Sequence, residues 1–198
     1  MYLPAKGFRP SESRDEEKII NLSNSVYDWM QLHSDPDYFL GVVDRSKNEL
    51  TFDAGRDGVV FDPYENGDVM GVGCMVKDHR LELLERYTRE ITGEEFVQGK
   101  TGLFSFFRDM QMPQQLKSMR PGSGLAQETV KLAESQEELD LLISMFKIGN
   151  KASEDAQTYV GFQIHEYDTV IPFKGNHYPN MAVIYRDVTN SQGEPEIH

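Results

Sequence analysis

Apolar residues recur at three- and four-residue steps through Ile19, Leu22, Val26, Trp29 and Met30, with His33 on the same face. Ser13-Arg14-Asp15-Glu16 precedes them and fits the S-x-x-E capping box, so a helix is expected that ends before Asp35-Pro36. The period then changes. Residues 38–44 and 49–53 are rich in β-formers around a polar turn, and 59–64 and 69–76 continue short apolar runs between turn residues, which predicts a meander of three or four strands. Asp78 can cap a second helix, with Leu81, Leu84, Tyr87, Thr88 and Ile91 on one face and Gly93 as its stop.

Residues 94–124, rich in Phe, Met, Gly and Pro, read as an irregular insertion, within which 102–112 fits a short helix or an extended arm equally. A second capping box, Ser135-Gln136-Glu137-Glu138, predicts a third helix through Leu139, Leu142, Ile143 and Phe146, ending at Gly149-Asn150. A two-residue period over 158–168 and 180–188 then predicts a hairpin turning at 174–177. The expected fold is α+β: a mainly antiparallel sheet, made of an N-terminal meander and a C-terminal hairpin, packed with three to four amphipathic helices. The expected domain organisation is an arm over 1–12, a single domain over 13–189 and a polar tail over 190–198.

Charge narrows the function classes. Among 198 residues, 20 Lys and Arg face 33 Asp and Glu, for a net charge of −13, which argues against a nucleic acid or an anionic membrane as partner. The single cysteine, Cys74, excludes an intrachain disulfide and favours a reducing compartment. The longest near-continuous apolar run, 69–76, is far short of the ~20 residues that cross a bilayer. The expected location is the cytoplasm, or a particle assembled in it.

The motifs that would carry chemistry are each incomplete. Gly99-Lys100-Thr101 ends like a phosphate-binding P-loop, but Glu94 stands where its first glycine belongs. Gly71 and Gly73 begin a dinucleotide fingerprint whose third glycine is Val76, so bends in a strand account for them. Pro121-Gly122-Ser123-Gly124 fails the serine-elbow pattern and reads as a flexible entry to a helix over 125–133. Cys74 and His79 are spaced for a thiolate–imidazole pair, but the apolar run around Cys74 suits a buried thiol.

His165, Asp168 and His177 are the candidate metal or acid–base residues. In a regular strand His165 and Asp168 point to opposite faces, and a simple hairpin separates the two histidines by roughly 30 Å, so the set requires a connection that folds back. Leu103, Phe104, Phe106, Phe107, Arg108, Met110, Met112, Met119 and Arg120 concentrate the residue types of protein interfaces. With no intact catalytic motif and no cofactor signature, the expected function is non-catalytic. The chain reads as an acidic interaction or assembly protein, a structural component of a viral or phage particle or an inhibitor, that docks a protein partner or a second copy through this segment. The alternative is a small metal-dependent or acid–base enzyme using His165, Asp168 and His177.

Overall fold

In the computed structural model, which describes residues 2–33, 42–77, 82–173 and 176–189, the elements follow as β1 (Phe8–Pro10), α1 (Glu16–His33), β2 (Val43–Asp44), β3 (Glu49–Leu50), β4 (Gly58–Phe61), β5 (Gly71–Val76), α2 (Glu82–Thr92), β6 (Thr101–Arg108), α3 (Gln114–Lys117), α4 (Pro121–Glu134), β7 (Leu141–Lys147), α5 (Lys151–Tyr159), β8 (Gln163–Phe173) and β9 (Asn176–Asp187). Seven strands form one sheet in the order β1-β4-β5-β6-β7-β9-β8, and β2 and β3 pair separately. Every pairing in the large sheet is antiparallel except β6 with β7. Asp78, His79, the expected stop before Asp35 and the tail over 190–198 lie outside the described residues. No helix among the described residues is long and apolar enough to cross a membrane.

The expectation of a mainly antiparallel sheet made only of an N-terminal meander and a C-terminal hairpin, with three to four helices, is corrected: the sheet is large, with seven strands, and mixed, though mostly antiparallel. Two segments account for the difference. Residues 141–147 are strand β7, where Leu141 and Ile143 pack on one side and Leu142 and Phe146 on the other. A parallel strand buried on both faces has an almost continuous apolar run, which helical spacing can imitate. Residues 101–108 are not an arm but the central strand β6, with Leu103 and Phe107 to one side and Phe104 to the other. A further helix, α5, begins where the third helix was expected to end. Gly149 turns the chain at φ +94, and the Asn150 side chain caps Ser153 N–H at 3.3 Å.

Strand alternation builds a core on each side of the sheet. Val72, Cys74, Leu103, Ile143 and Val183 meet α1 and α2, while Met75, Phe104, Leu142 and Ile184 meet α4 and α5. Gly71 and Gly73 are not bends. A Cβ on Gly73 would stand 2.0 Å from Thr129 Oγ1, and one on Gly71 2.7 Å from Leu125 Cδ1, so these glycines let α4 lie directly on β5.

The start of α1 is tied down by charge. A 3₁₀ turn over Ser13–Asp15 precedes the helix, and it is Asp15, not Glu16, that caps, accepting from Glu12 N–H at 2.9 Å. Arg9 grips the same carboxylate at 2.6 and 2.9 Å and reaches Asp62 at 3.3 Å. Burial works against ionisation of Asp15, but these donors outweigh it and hold its carboxyl below the usual carboxylate range. A depressed folded value means that the charge stabilises the fold above the unfolded pKa, near 3.9, and that this contribution is lost as pH falls through the folded value. The Tm advantage of wild type over Asp15→Asn is therefore expected to be full at pH 7 and to shrink below about pH 4. A gap that stays constant in melts from pH 7 to pH 2.5 would contradict this role.

Candidate functional site

The parallel pair at the centre of the sheet comes apart. β6 and β7 are in register only over Thr101, Gly102 and Leu103 against Leu141, Leu142 and Ile143. Beyond that point β6 stays with β5 as far as Arg108, and β7 stays with β9 as far as Lys147. The result is a cleft through the middle of the sheet that opens toward the carboxyl ends of both strands. At its apex the Ser144 hydroxyl donates to the Phe104 carbonyl at 3.1 Å, taking the place of the ladder. In sheets with parallel strands, ligands bind outside the carboxyl ends, where neighbouring connections leave a crevice.

Helix α4 begins at that opening. The chain leaves β6, passes α3, takes a left-handed conformation at Arg120 (φ 51) and enters the helix at Pro121. Pro121-Gly122-Ser123-Gly124 is thus the first helical turn, not a flexible approach to it. Pro121 has no N–H, and helix geometry leaves those of Gly122 and Ser123 without an acceptor four residues back. The two glycines do different things. A Cβ on Gly124 would be 2.4 Å from the Phe8 ring, so that glycine is required by packing, whereas one on Gly122 would meet only Phe106, at 3.7 Å. Gly122 leaves bare backbone at the positive end of the helix dipole, a setting that suits an anion. Arg108, Lys117, Arg120 and Lys147 stand at this same end of the sheet, on a chain otherwise dominated by acid.

Further along α4, the buried Glu128 accepts from Tyr2 Oη at 2.9 Å, from Ala5 N–H at 3.3 Å and from Lys131 Nζ at 2.7 Å, which straps the N-terminal segment across the helix. Burial, with the Glu128 hydrogen bond, pushes the Tyr2 phenol far up.

On the opposite face, polar groups gather beneath α2. Bulges interrupt the pairing of β8 with β9 around His165 and again around Asp168. The first bulge brings His165 and Glu166 together on the α2 side. His165 Nε2 lies 3.6 Å from Glu90 Oε2, and its ring meets those of Tyr87 and Tyr185 edge-on. Tyr87 donates to Glu166 at 3.4 Å, and Arg86 bonds Glu90 at 2.9 Å. Burial raises the Tyr87 phenol to about 12; Arg86 opposes this and Glu166 adds to it. Tyr185 stands opposite Ile143, the last residue of β7 in register with β6, so this cluster flanks the apex of the cleft.

The expected metal set is not assembled. Asp168 occupies the second bulge at φ 61, and His177 lies opposite Pro172, seven residues along β8 from His165, or roughly 20 Å. Among the described residues, no group of three or more His, Cys, Asp and Glu side chains could hold a metal. Ile164 is 59% exposed on this edge strand, whereas Ile171 farther along it is buried. Cys74 is fully buried, and burial, then Asp57, pushes its thiol far above the ordinary range.

Of the residues expected to dock a partner, Leu103, Phe104, Phe107 and Met112 are buried in the cores, Phe106, Arg108 and Met110 are half-buried, and Met119 and Arg120 are exposed just before α4. A surface depression of about 380 Å³ beside β1, lined by residues including Lys6, Arg9, Asp62 and Glu65, has its Arg9 and Asp62 already paired with each other.

No protein-family model matches the chain, and no curated protein matches it in sequence. Solved structures do. An acetyltransferase of the GNAT family from Bacillus anthracis superposes with a TM-score of 0.57 at 14% identity, over 95% of this chain and 99% of that one. The fold is that of the GNAT acetyltransferases. A spermidine N-acetyltransferase from Vibrio cholerae, in complex with CoA and spermine, matches at TM-score 0.54 and 14% identity over 91% and 94% of the two chains. An acetyltransferase from Salmonella typhimurium with its cofactor acetyl-CoA matches at TM-score 0.54 and 14% identity over 96% and 98%.

At such identities it is the GNAT fold that is shared. The expectation of a non-catalytic assembly protein that docks through the Phe/Met/Arg segment, with its viral or structural keywords, is overturned by this likeness; residues 103–108 of that segment belong to the central strand β6, and Met119 and Arg120 lie exposed just before α4. Pro121-Gly122-Ser123-Gly124, expected as a flexible entry to a helix over 125–133, is the first turn of that helix; the anion-suited N-terminus it makes was the signal the sequence reading did not draw on.

Proposed function

We propose that the chain is an acetyl-CoA-dependent N-acetyltransferase. The observation that carries this reading is the cleft between β6 and β7 with the N-terminus of α4 at its mouth, in a fold shared with proteins whose structures hold CoA or acetyl-CoA. The residues fit such a group. Gly122 leaves space and bare N–H groups for a phosphate, and Arg120 and Lys117 add positive charge beside it. The strand edges past Leu103 and Ile143 are not joined to each other, so an extended, amide-bearing arm can pair with them as an added strand would.

When bound, acetyl-CoA supplies an acetyl thioester for transfer to an amine. The acceptor would approach from the α2 face, where Glu90 and Glu166 outnumber Arg86 and favour a positively charged substrate. His165, oriented by Glu90, and Glu166 are the titratable groups that would take up the proton given up by the amine; the acyl carbon–sulfur bond would break as the carbon–nitrogen bond forms, with the CoA thiol as leaving group. A cytoplasmic location, expected from the unpaired cysteine, agrees with this reading.

Calorimetry with CoA and acetyl-CoA, followed by thiol release on a panel of diamines and peptide N-termini, tests it. Binding of both, and amine-dependent thiol release that falls in His165→Ala/Glu166→Gln, is the expected outcome. The reading is sunk if neither binds.

A further inference from the structure

Beneath α2, two carboxylates beside the apex of the cleft share one cation. Arg86 Nε donates to Glu90 Oε1 at 2.9 Å, and its Nη2 stands 4.0 Å from Glu166 Oε2. Glu90 belongs to α2 and Glu166 to β8, so Arg86 spans the space between the two elements. Its guanidinium lies over the Tyr87 ring, 4.8 Å from the centroid, whereas Arg89 of the same helix pairs with Glu95 at 3.0 Å. An exposed i,i+4 ion pair contributes little to stability, so folding alone does not account for a guanidinium that also reaches β8.

The charge on this face limits what it accepts. Among the described residues of the cluster, Glu90 and Glu166 are the carboxylates and Arg86 cancels one of them, which leaves charge for a single ammonium. The cancellation holds at any working pH, because a guanidinium does not deprotonate and the Glu90 hydrogen bond pushes its pKa higher still. Arg86, Glu90 and Glu166 are all partly open to solvent, so an arriving acceptor meets them directly. A second ammonium on that acceptor needs a carboxylate of its own and finds Arg86 beside both. Like charges a few Å apart at a protein surface repel strongly enough to decide between two ligands.

Resting on the acetyl-CoA reading, we propose that Arg86 is a specificity residue, which restricts the acceptor to amines that carry one positive charge and turns away diamines and polyamines. The device is repulsive: it leaves a single ammonium attracted by Glu90 and Glu166 and penalises a second. A peptide N-terminus with no neighbouring cation fits such a face, and a chain with an ammonium at each end does not.

The test compares two acceptors that differ by one ammonium. Thiol release from acetyl-CoA is measured with butylamine and with putrescine on wild type, Arg86→Gln and Arg86→Lys, after calorimetry has established CoA binding. Wild type is expected to have the higher KM for putrescine. In Arg86→Gln the ratio of putrescine KM to butylamine KM should fall about tenfold, which is 1.4 kcal/mol, with the change in KM and not in kcat, while Arg86→Lys, which keeps the charge, retains the wild-type ratio. Salt gives a second readout that needs no variant, since discrimination by charge narrows as ionic strength rises. A ratio that Arg86→Gln leaves at the wild-type value, that Arg86→Lys lowers as far as Arg86→Gln does, or that stays constant in wild type with added salt would each overturn the proposal. Wild type that binds no CoA would overturn the acetyl-CoA reading and this inference together, whereas wild type that binds CoA but favours putrescine, or turns over neither amine, overturns this inference alone.

Discussion

Gly122→Asp is expected to leave the protein folded and to weaken CoA binding about a hundredfold, or about 2.7 kcal/mol. The two halves of that result have separate causes. A Cβ at Gly122 meets only the Phe106 ring at an ordinary 3.7 Å, so the side chain is accommodated. A carboxylate in the first turn of α4 also complements the helix dipole, so Tm should hold or rise slightly. The same charge then stands where a phosphate is to bind, and two like charges about 4 Å apart repel by several kcal/mol before screening. Gly122→Ala, which adds bulk without charge, should keep most of the affinity. If calorimetry gives Gly122→Asp the CoA affinity of wild type, phosphate recognition does not occur at this helix.

Gly73→Val should act on stability first, lowering it by about 3 kcal/mol and Tm on the order of 10 °C. A Cβ at this position would be 2.0 Å from Thr129 Oγ1 and 3.1 Å from the Leu125 carbonyl. Thr129 cannot easily yield, since it is fully buried and its hydroxyl already donates to Leu125 O at 2.7 Å. The helix must therefore lift from β5. Because α4 also forms the mouth of the cleft, CoA affinity should fall with stability, in contrast to Gly122→Asp. A thermal melt indistinguishable from wild type would show that the contact between α4 and β5 is not as tight as the glycines imply.

The legible parts of the sequence were those in which one face of an element meets the core and the other meets solvent. The apolar stripe of α1 and the spacing of Leu84, Tyr87, Thr88 and Ile91 on α2 marked helices that the structure has. Of the turn expected over 174–177, residues 174 and 175 lie outside the described residues, and Asn176 and His177 already belong to β9, paired with Phe173 and Pro172. Elements buried on both sides lost that contrast. In β7 every position from Leu141 to Ser144 is inside, so periodicity could not distinguish strand from helix. In β6 the Phe-rich composition imitated an interface because the strand crosses the centre of the protein. The bulges of β8 were also beyond reach, since a single inserted residue reverses which side chains share a face and leaves little trace in composition.

By itself the sequence determined the acidic surface, the unpaired thiol, the amphipathic helices and the places where the chain must turn, because each depends on residue type and local spacing. Only the tertiary structure decided that β6 and β7 run parallel and separate after three residues, that Pro121-Gly122-Ser123-Gly124 opens a helix at that gap, and that His165 lies by Glu90 and Tyr185 but far from His177. These are relations between segments far apart in the chain. They are set by which faces of the sheet the helices cover, and local patterning carries no record of them.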